Sequence, residues 1–199
     1  RAWIVFNGEI YNYVELRDEL VARGRAFRTT SDTEVILQMY DEYGDDCVRR
    51  LNGMFAFVLY DRVERRVLAA RDHFGIKPLY LHASQDRLLF ASEIKALLTY
   101  PGVRAQADLQ GVSDYLTFQY VVGDRSMFAG ISRLLPGQYL VADLGSGSVR
   151  SVRYWQPSFE VDTDHSESYF LEKLQWLLGD AVRLQMRSDV PVGAYLSGG

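Results

Sequence analysis

The sequence predicts an α+β fold: stacked sheets with flanking helices over residues 1–155, then the opening helix–strand step of a second, parallel-sheet domain. Three observations carry this. Short runs rich in β-branched and aromatic residues recur at 3–6, 54–60, 67–70, 79–82 and 88–91, separated by charged or glycine-bearing turns. Residues 13–23 and 32–43 instead space their apolar side chains at the helical period. A polar stretch, 156–166, then separates this part from a helix-plus-strand pattern over 169–196.

Composition sets the outer bounds. The chain has 199 residues, of which 48% are hydrophobic and 24% charged, with a formal net charge of −4. These are ordinary globular values, and there is enough apolar surface to offset the entropy of ordering. The mild acidity argues against a protein built to wrap nucleic acid or to sit on an anionic membrane. No apolar run reaches the roughly 18 residues a membrane span needs. Cys47 is the single cysteine, so no internal disulfide can form. One cysteine and no signal peptide favour a reducing, cytoplasmic setting. The chain opens on Arg1 with a strand already under way and closes on Ser197-Gly198-Gly199 after an apolar run. Both ends are therefore expected to lie inside a longer protein.

Element by element, residues 3–6 read as a buried strand and Asn7-Gly8 as a turn signal. The helix over 13–23 has Val14, Leu16, Leu20 and Val21 on its apolar side, and Gly24 is placed to end it. Ser31-Asp32-Thr33-Glu34 matches a capping box opening a helix to about Tyr43, with Val35, Ile36, Met39 and Tyr40 inward. Residues 54–60 are nearly all apolar, as expected of a strand covered on both faces. Ser92 is placed to cap a helix through Leu98, and 109–118 is another helix. Residues 140–142 and 149–154 read as a hairpin around Gly145-Ser146-Gly147. The helix over 169–186 carries Phe170, Leu174, Leu177, Leu178, Ala181 and Leu184 on one face, and 190–196 is a buried strand.

Three motifs could carry chemistry. An Asn side chain and a Gly N–H at a strand end, as in Asn7-Gly8, can converge on one developing negative oxygen; each such donor is worth roughly 3 kcal/mol in a transition state. The same dipeptide can be no more than a tight turn. Asp32 can hold a ligand ammonium while Ser31 caps the helix. Ser197-Gly198-Gly199 after a strand can present N–H groups to a phosphate, or form a plain turn. Cys47 lies beside Asp45 and Asp46, whose charges raise a thiol pKa, so it reads as structural. His73, His82 and His165 lack ligand spacing, and no metal site is expected. Arg71-Asp72 and Lys77 read as a structural ion pair or the border of a domain interface.

Taken in order, several stretches resemble the glutamine-hydrolysing asparagine synthetases. They are Phe-Asn-Gly-Glu-Ile-Tyr-Asn-Tyr (6–13), Ser-Asp-Thr-Glu-Val-Ile-Leu (31–37), Leu-Asn-Gly-Met-Phe-Ala-Phe (51–57), Ala-Arg-Asp-His-Phe-Gly-Ile-Lys-Pro-Leu-Tyr (70–80), Phe-Ala-Ser-Glu-Ile-Lys-Ala-Leu (90–97) and Asp-Val-Pro-Val-Gly-Ala-Tyr-Leu-Ser-Gly-Gly (189–199). The first two are shared more loosely with other class II glutamine amidotransferases. The resemblance implies a four-layer αββα glutaminase sandwich of the N-terminal-nucleophile type over 1–155, incomplete at its start. A linker at 156–166 and the start of an ATP pyrophosphatase domain at 167–199 follow. It implies a carbon–nitrogen ligase of asparagine biosynthesis: ammonia is released from glutamine, aspartate is adenylated with Mg2+ and ATP, and ammonia displaces AMP.

By the same resemblance Asn7 and Gly8 form the oxyanion hole, Glu9 contacts the amino-acid end of glutamine, and Asp32 pairs with its ammonium. Tyr195 and Leu196 lie near adenine, and Ser197, Gly198 and Gly199 open the pyrophosphate loop. The implied partners are glutamine, aspartate and ATP, with a homodimer of the parent protein left open. The family nucleophile is a leading Cys whose α-amino group, with a pKa near 8, accepts the thiol proton. Arg1 is not that residue, so the 199-residue polypeptide by itself is expected to be inactive. The acceptor pocket lies past residue 199. Relatives that amidate another carboxylate or close a β-lactam ring are therefore the alternative, and a stand-alone binding module is a further one.

Overall fold

Alternate residues of β1 (Ala2–Ile10) face opposite sides of a sheet, as the period of two requires. Ala2, Ile4, Phe6 and Ile10 pack into a core beneath two helices, whereas Trp3 and Val5 on the other side are 67% and 78% exposed. The strand therefore runs straight through Asn7-Gly8, and the expected turn is absent. The reason is its partner: β2 (Gly53–Asp61) pairs antiparallel with β1 along its full length, from Ala2 opposite Asp61 to Ile10 opposite Gly53. Gly8 adopts φ +148, and a Cβ there would stand 2.1 Å from the Met54 carbonyl oxygen. Asn-Gly here serves a close strand approach, not a reversal.

The computed structural model describes residues 1–188 and 190–193. The chain divides into two units, Arg1–Gln156 and Pro157–Gly199. In the first, β3 (Arg66–Arg71), β7 (Gln138–Asp143) and β8 (Val149–Arg153) extend the sheet in the order β1-β2-β3-β7-β8, antiparallel throughout. A second sheet has the order β5-β4-β6, from β4 (Tyr80–Ser84), β5 (Arg87–Ala91) and β6 (Ile131–Arg133). The three-residue β6 lies outside the strands expected from sequence; it is held by pairing with β4 rather than by an apolar run of its own.

One face of the five-stranded sheet is covered by α1 (Tyr13–Ala22), α2 (Asp32–Tyr43) and a 3₁₀ turn, Gly44–Arg50. Phe55, Phe57 and Leu59 of β2 enter this core with Val35, Ile36 and Met39 of α2. Each such fully buried side chain stabilises the fold by about 1.5–3 kcal/mol. The other face, through Ala56, Ala69, Leu140 and Ala142, meets Leu79, Leu81, Leu88 and Phe90 of the second-sheet region. Helix, sheet and sheet thus stack in that order, and α3 (Ile94–Leu98) packs on β4 and β5.

Helix ends follow local chemistry. Ser31 Oγ accepts from Thr33 N at 3.1 Å, as a cap does. Glu34 does not close the capping box; its carboxylate instead takes Arg28 N, Thr29 N and Thr29 Oγ1, ordering the loop before the helix. Gly24, at φ +85, ends α1 one residue past its cap. Ser92 does not cap α3, whose N-cap is Glu93 without a side-chain cap bond. The helix over 109–118 is present as α4 (Leu109–Phe118), with Asp108 capping through Gly111 N. The hairpin β7–β8 forms as expected.

In the second unit, α5 (Glu167–Gln185) is capped by Ser166. Phe170, Leu174, Leu177 and Leu178 are exposed within this unit. Residues 190–193 carry no strand, and the rest of the strand expected over 190–196 lies outside the described residues, as do Tyr195, Leu196, Ser197, Gly198 and Gly199. No helix among the described residues is long and apolar enough to cross a membrane.

Candidate active site

The odd-numbered side chains at the end of β1 point away from the helical core, which puts Asn7 and Glu9 on one face. Asn7 is exposed and lines a crevice of about 400 Å³ between the two sheets. Its walls are largely apolar: Val5 and Val58 from the first sheet, Leu88, Phe90 and Leu97 from the second-sheet side, with Tyr100 and Ser92 also lining it. Asn7 Nδ2 donates to Ser92 Oγ at 3.5 Å. Gly8 follows directly, opposite Phe55.

Asp32, at the first turn of α2, reaches across to β1: its Oδ2 accepts from Ile10 N at 3.0 Å. The carboxylate expected to hold a ligand ammonium is thus tied through one oxygen to the strand that carries Asn7 and Glu9. Its Oδ1 has only long contacts, to Ser31 Oγ at 3.4 Å and Thr33 Oγ1 at 3.5 Å. Burial pushes the Glu9 carboxyl above its ordinary range, the Asp32 charge adds to this, and the Lys77 ammonium partly opposes it. Two carboxyl groups at one strand end make a place that gains from an incoming cation.

A loop after β3 supports this end of the sheet. Asp72 is 1% exposed, and its carboxylate accepts four backbone N–H groups, from Phe55, Phe74, Ile76 and Lys77, at 2.9–3.2 Å. Arg71 donates to the carbonyls of Lys77, Leu134 and Gly75. The expected Arg71–Asp72 ion pair is not formed; each charge is spent on backbone, because the buried Asp72 carboxylate and the half-buried Arg71 guanidinium need polar partners. Through Phe55 N, Asp72 also holds the β2 residue that faces Gly8. Burial and the charges of Glu9 and Asp72 push the Tyr11 phenol up.

Cys47 is fully buried, and its thiol is pushed up to about 12 by burial and by Asp45 and Asp46. His82 Nδ1 meets the Gly130 carbonyl, and His165 pairs with Asp162. His73 stacks edge-on against Tyr154 and Trp155, and burial lowers its pKa. Among the described residues no group of three His, Cys, Asp or Glu side chains is placed to hold a metal ion.

The sequence profile of the glutamine amidotransferase domain matches residues 1–155. The chain belongs to the glutamine amidotransferase family. In this amidotransferase, residues 173–199 also match the profile described as asparagine synthase. It is 40% identical over 199 residues to glutamine-hydrolyzing asparagine synthetase 1 of Bacillus subtilis (strain 168), an alignment covering 99% of this chain and 31% of that protein. It is likewise 40% identical over 197 residues to glutamine-hydrolyzing asparagine synthetase 3 of the same strain, covering 98% of this chain and 32% of that one. The chain thus spans about a third of the length of the curated relatives it matches. The solved glutamine phosphoribosylpyrophosphate amidotransferase of B. subtilis, in complex with ADP and GMP, superposes with a TM-score of 0.52 at 22% identity, over 78% of this chain and 30% of that one. The amidotransferase fold is accordingly shared with that enzyme: two packed sheets with a helical layer on the outer face of the first and α3 against the second.

Sequence reasoning missed the place of Ser92 in this amidotransferase, having assigned its hydroxyl to a helix cap. It also missed the loop-ordering work of Asp72. The signal for the latter was the break from apolar β3 into Arg71-Asp72: two charges at a sheet end demand partners, though not which.

Proposed function

We propose that this chain is the glutaminase part of an asparagine synthetase: it releases ammonia from glutamine, and the whole protein uses ATP and Mg2+ to amidate aspartate. The Asn7 amide on the wall of a crevice, on the same strand face as Glu9, with Asp32 bonded to Ile10 N further along the same strand, carries the reading. A glutamine side chain presents a neutral amide at one end and an ammonium at the other. Apolar crevice walls flank the amide, and the carboxylates suit the ammonium.

The work of each group follows from its chemistry. Attack on the side-chain amide carbon, by the leading Cys thiolate that family resemblance supplies, turns the carbonyl oxygen negative. Asn7 Nδ2 and the Gly8 N–H donate to that oxygen and stabilise it, at roughly 3 kcal/mol per donor. Asp32 Oδ1 accepts from the ammonium, and Glu9 supports the same end. Both fix the substrate so that its amide lies against Asn7. When bound, ATP supplies the adenylation of aspartate; the residues expected to hold it, Tyr195, Leu196, Ser197, Gly198 and Gly199, lie outside the described residues.

Asn7→Ala in the full-length protein tests this. Glutamine-dependent kcat is expected to fall on the order of 10²-fold, while turnover with added ammonia falls far less. Equal loss with both nitrogen sources, or no loss with either, overturns the reading.

A further inference from the structure

Ser92 follows the last residue of β5 and precedes α3. Its hydroxyl is not spent on the helix: α3 begins at Ile94, and its N-cap position is Glu93, whose side chain makes no cap bond and pairs with Lys95 instead. Among the described residues the partner of the hydroxyl is Asn7, 85 positions away in the chain and in the other sheet. Both residues line the crevice of about 400 Å³.

The consequence lies in how an Asn side chain is held. Its terminal torsion is broad and roughly two-fold, so an exposed Asn on a strand has no preferred amide direction of its own. A primary amide carries two N–H groups. An acceptor that engages one of them fixes the amide plane and so fixes where the other points. Ser92 Oγ is such an acceptor, and its own position is set by the end of β5 and the start of α3 rather than by β1. Hydrogen bonds in catalytic sites are commonly long before the Michaelis complex forms and tighten in it, which accommodates the 3.5 Å separation.

We propose that Ser92 is a positioning residue for the glutaminase site: its hydroxyl oxygen accepts one N–H of the Asn7 amide and aims the other at the substrate carbonyl oxygen. This rests on Asn7 being an oxyanion donor. Ser92 touches neither the reacting carbon nor the nucleophile; it acts only through Asn7. Its loss therefore affects kcat for glutamine more than KM, because the bond gains importance as charge develops.

The test is a set of full-length variants, Ser92→Ala, Ser92→Thr, Ser92→Val and Asn7→Ala, and the double variant S92A/N7A, assayed with glutamine and with ammonia. Thr keeps the hydroxyl, and Val keeps the shape of Thr without it. Ser92→Ala and Ser92→Val are expected to lower glutamine-dependent kcat about five- to tenfold relative to ammonia-dependent turnover, the scale of one neutral hydrogen bond read as a rate. Ser92→Thr should retain most of the wild-type rate. In the Asn7→Ala background, Ser92→Ala should cost nothing further. The proposal fails if Ser92→Val matches Ser92→Thr, or if the loss from Ser92→Ala persists undiminished without Asn7. It also fails if glutamine and ammonia turnover fall together. Should Asn7→Ala itself leave glutamine turnover intact, the oxyanion reading of Asn7 fails, a result distinct from a failure at Ser92.

Discussion

Glu9 sets stability against use. Burial raises its carboxyl pKa, Asp32 raises it further, and Lys77 only partly opposes them. A group whose pKa is raised on folding contributes stability when protonated, and loses that contribution as pH climbs through the raised value. At neutral pH the folded protein thus carries a carboxylate it holds at a cost, in the place where a substrate ammonium would relieve it. Glu9→Gln is expected to raise the thermal midpoint at neutral pH and to raise KM for glutamine. The stability gain should fade in acid, where wild-type Glu9 is itself neutral. Melting curves at several pH values read this, and a variant less stable than wild type at neutral pH would contradict it. The pairing of Glu9 with Asp32 was legible only through resemblance, because 22 residues and a helix separate Ile10 from the carboxylate that binds its N–H. Ser92 was not legible at all: a Ser before a short helix reads as a cap, and only the packing of one sheet on the other brings it to Asn7.

Among the elements, the β1–β2 pair is the one on which the site depends. Gly8 and Gly53 lie on facing strands, and a Cβ at either would stand 2.1 Å from a carbonyl oxygen of the opposite strand. Sequence reasoning found the strand but stopped it at Phe6, since Asn-Gly is the commonest short-range turn signal. What overrode that signal was nonlocal: nine consecutive pairings with β2, invisible to any window around residue 7. By contrast α2, α4 and the β7–β8 hairpin were legible because their caps and turns are local chemistry. Gly8→Ala should force the strands apart or bend β1. The expected cost is about 2–4 kcal/mol, the range of strained backbone and overpacked sites. It should appear as a lower denaturation midpoint together with lost glutamine turnover. Unchanged stability would mean that the strands separate freely there, which nine continuous pairings argue against.

At the scale of the whole first unit, one core ties the elements together. Ile10 of β1, Leu16 and Leu20 of α1, Val35, Ile36, Met39 and Tyr40 of α2, Phe55, Phe57 and Leu59 of β2 and Tyr139 of β7 all belong to it. Cys47 is buried in the same cluster, with its thiol pushed up to about 12, so at neutral pH it is neither exposed nor a thiolate. The sequence indicated the direction of that shift from Asp45 and Asp46; burial, the larger cause, needed the fold. Reaching the sulfur requires parting α2 and the 3₁₀ turn from the sheet, which also removes the support beneath β1. Alkylation of Cys47, the single cysteine of the 199-residue chain, should therefore be negligible in the native state and rise with denaturant in step with the loss of folded structure read by circular dichroism, since both report opening of one core. Prompt stoichiometric labelling without denaturant would show that the 3₁₀ turn opens by itself. In that case the helical layer would be a set of separately yielding pieces, not the single platform on which Asn7, Gly8 and Glu9 are held.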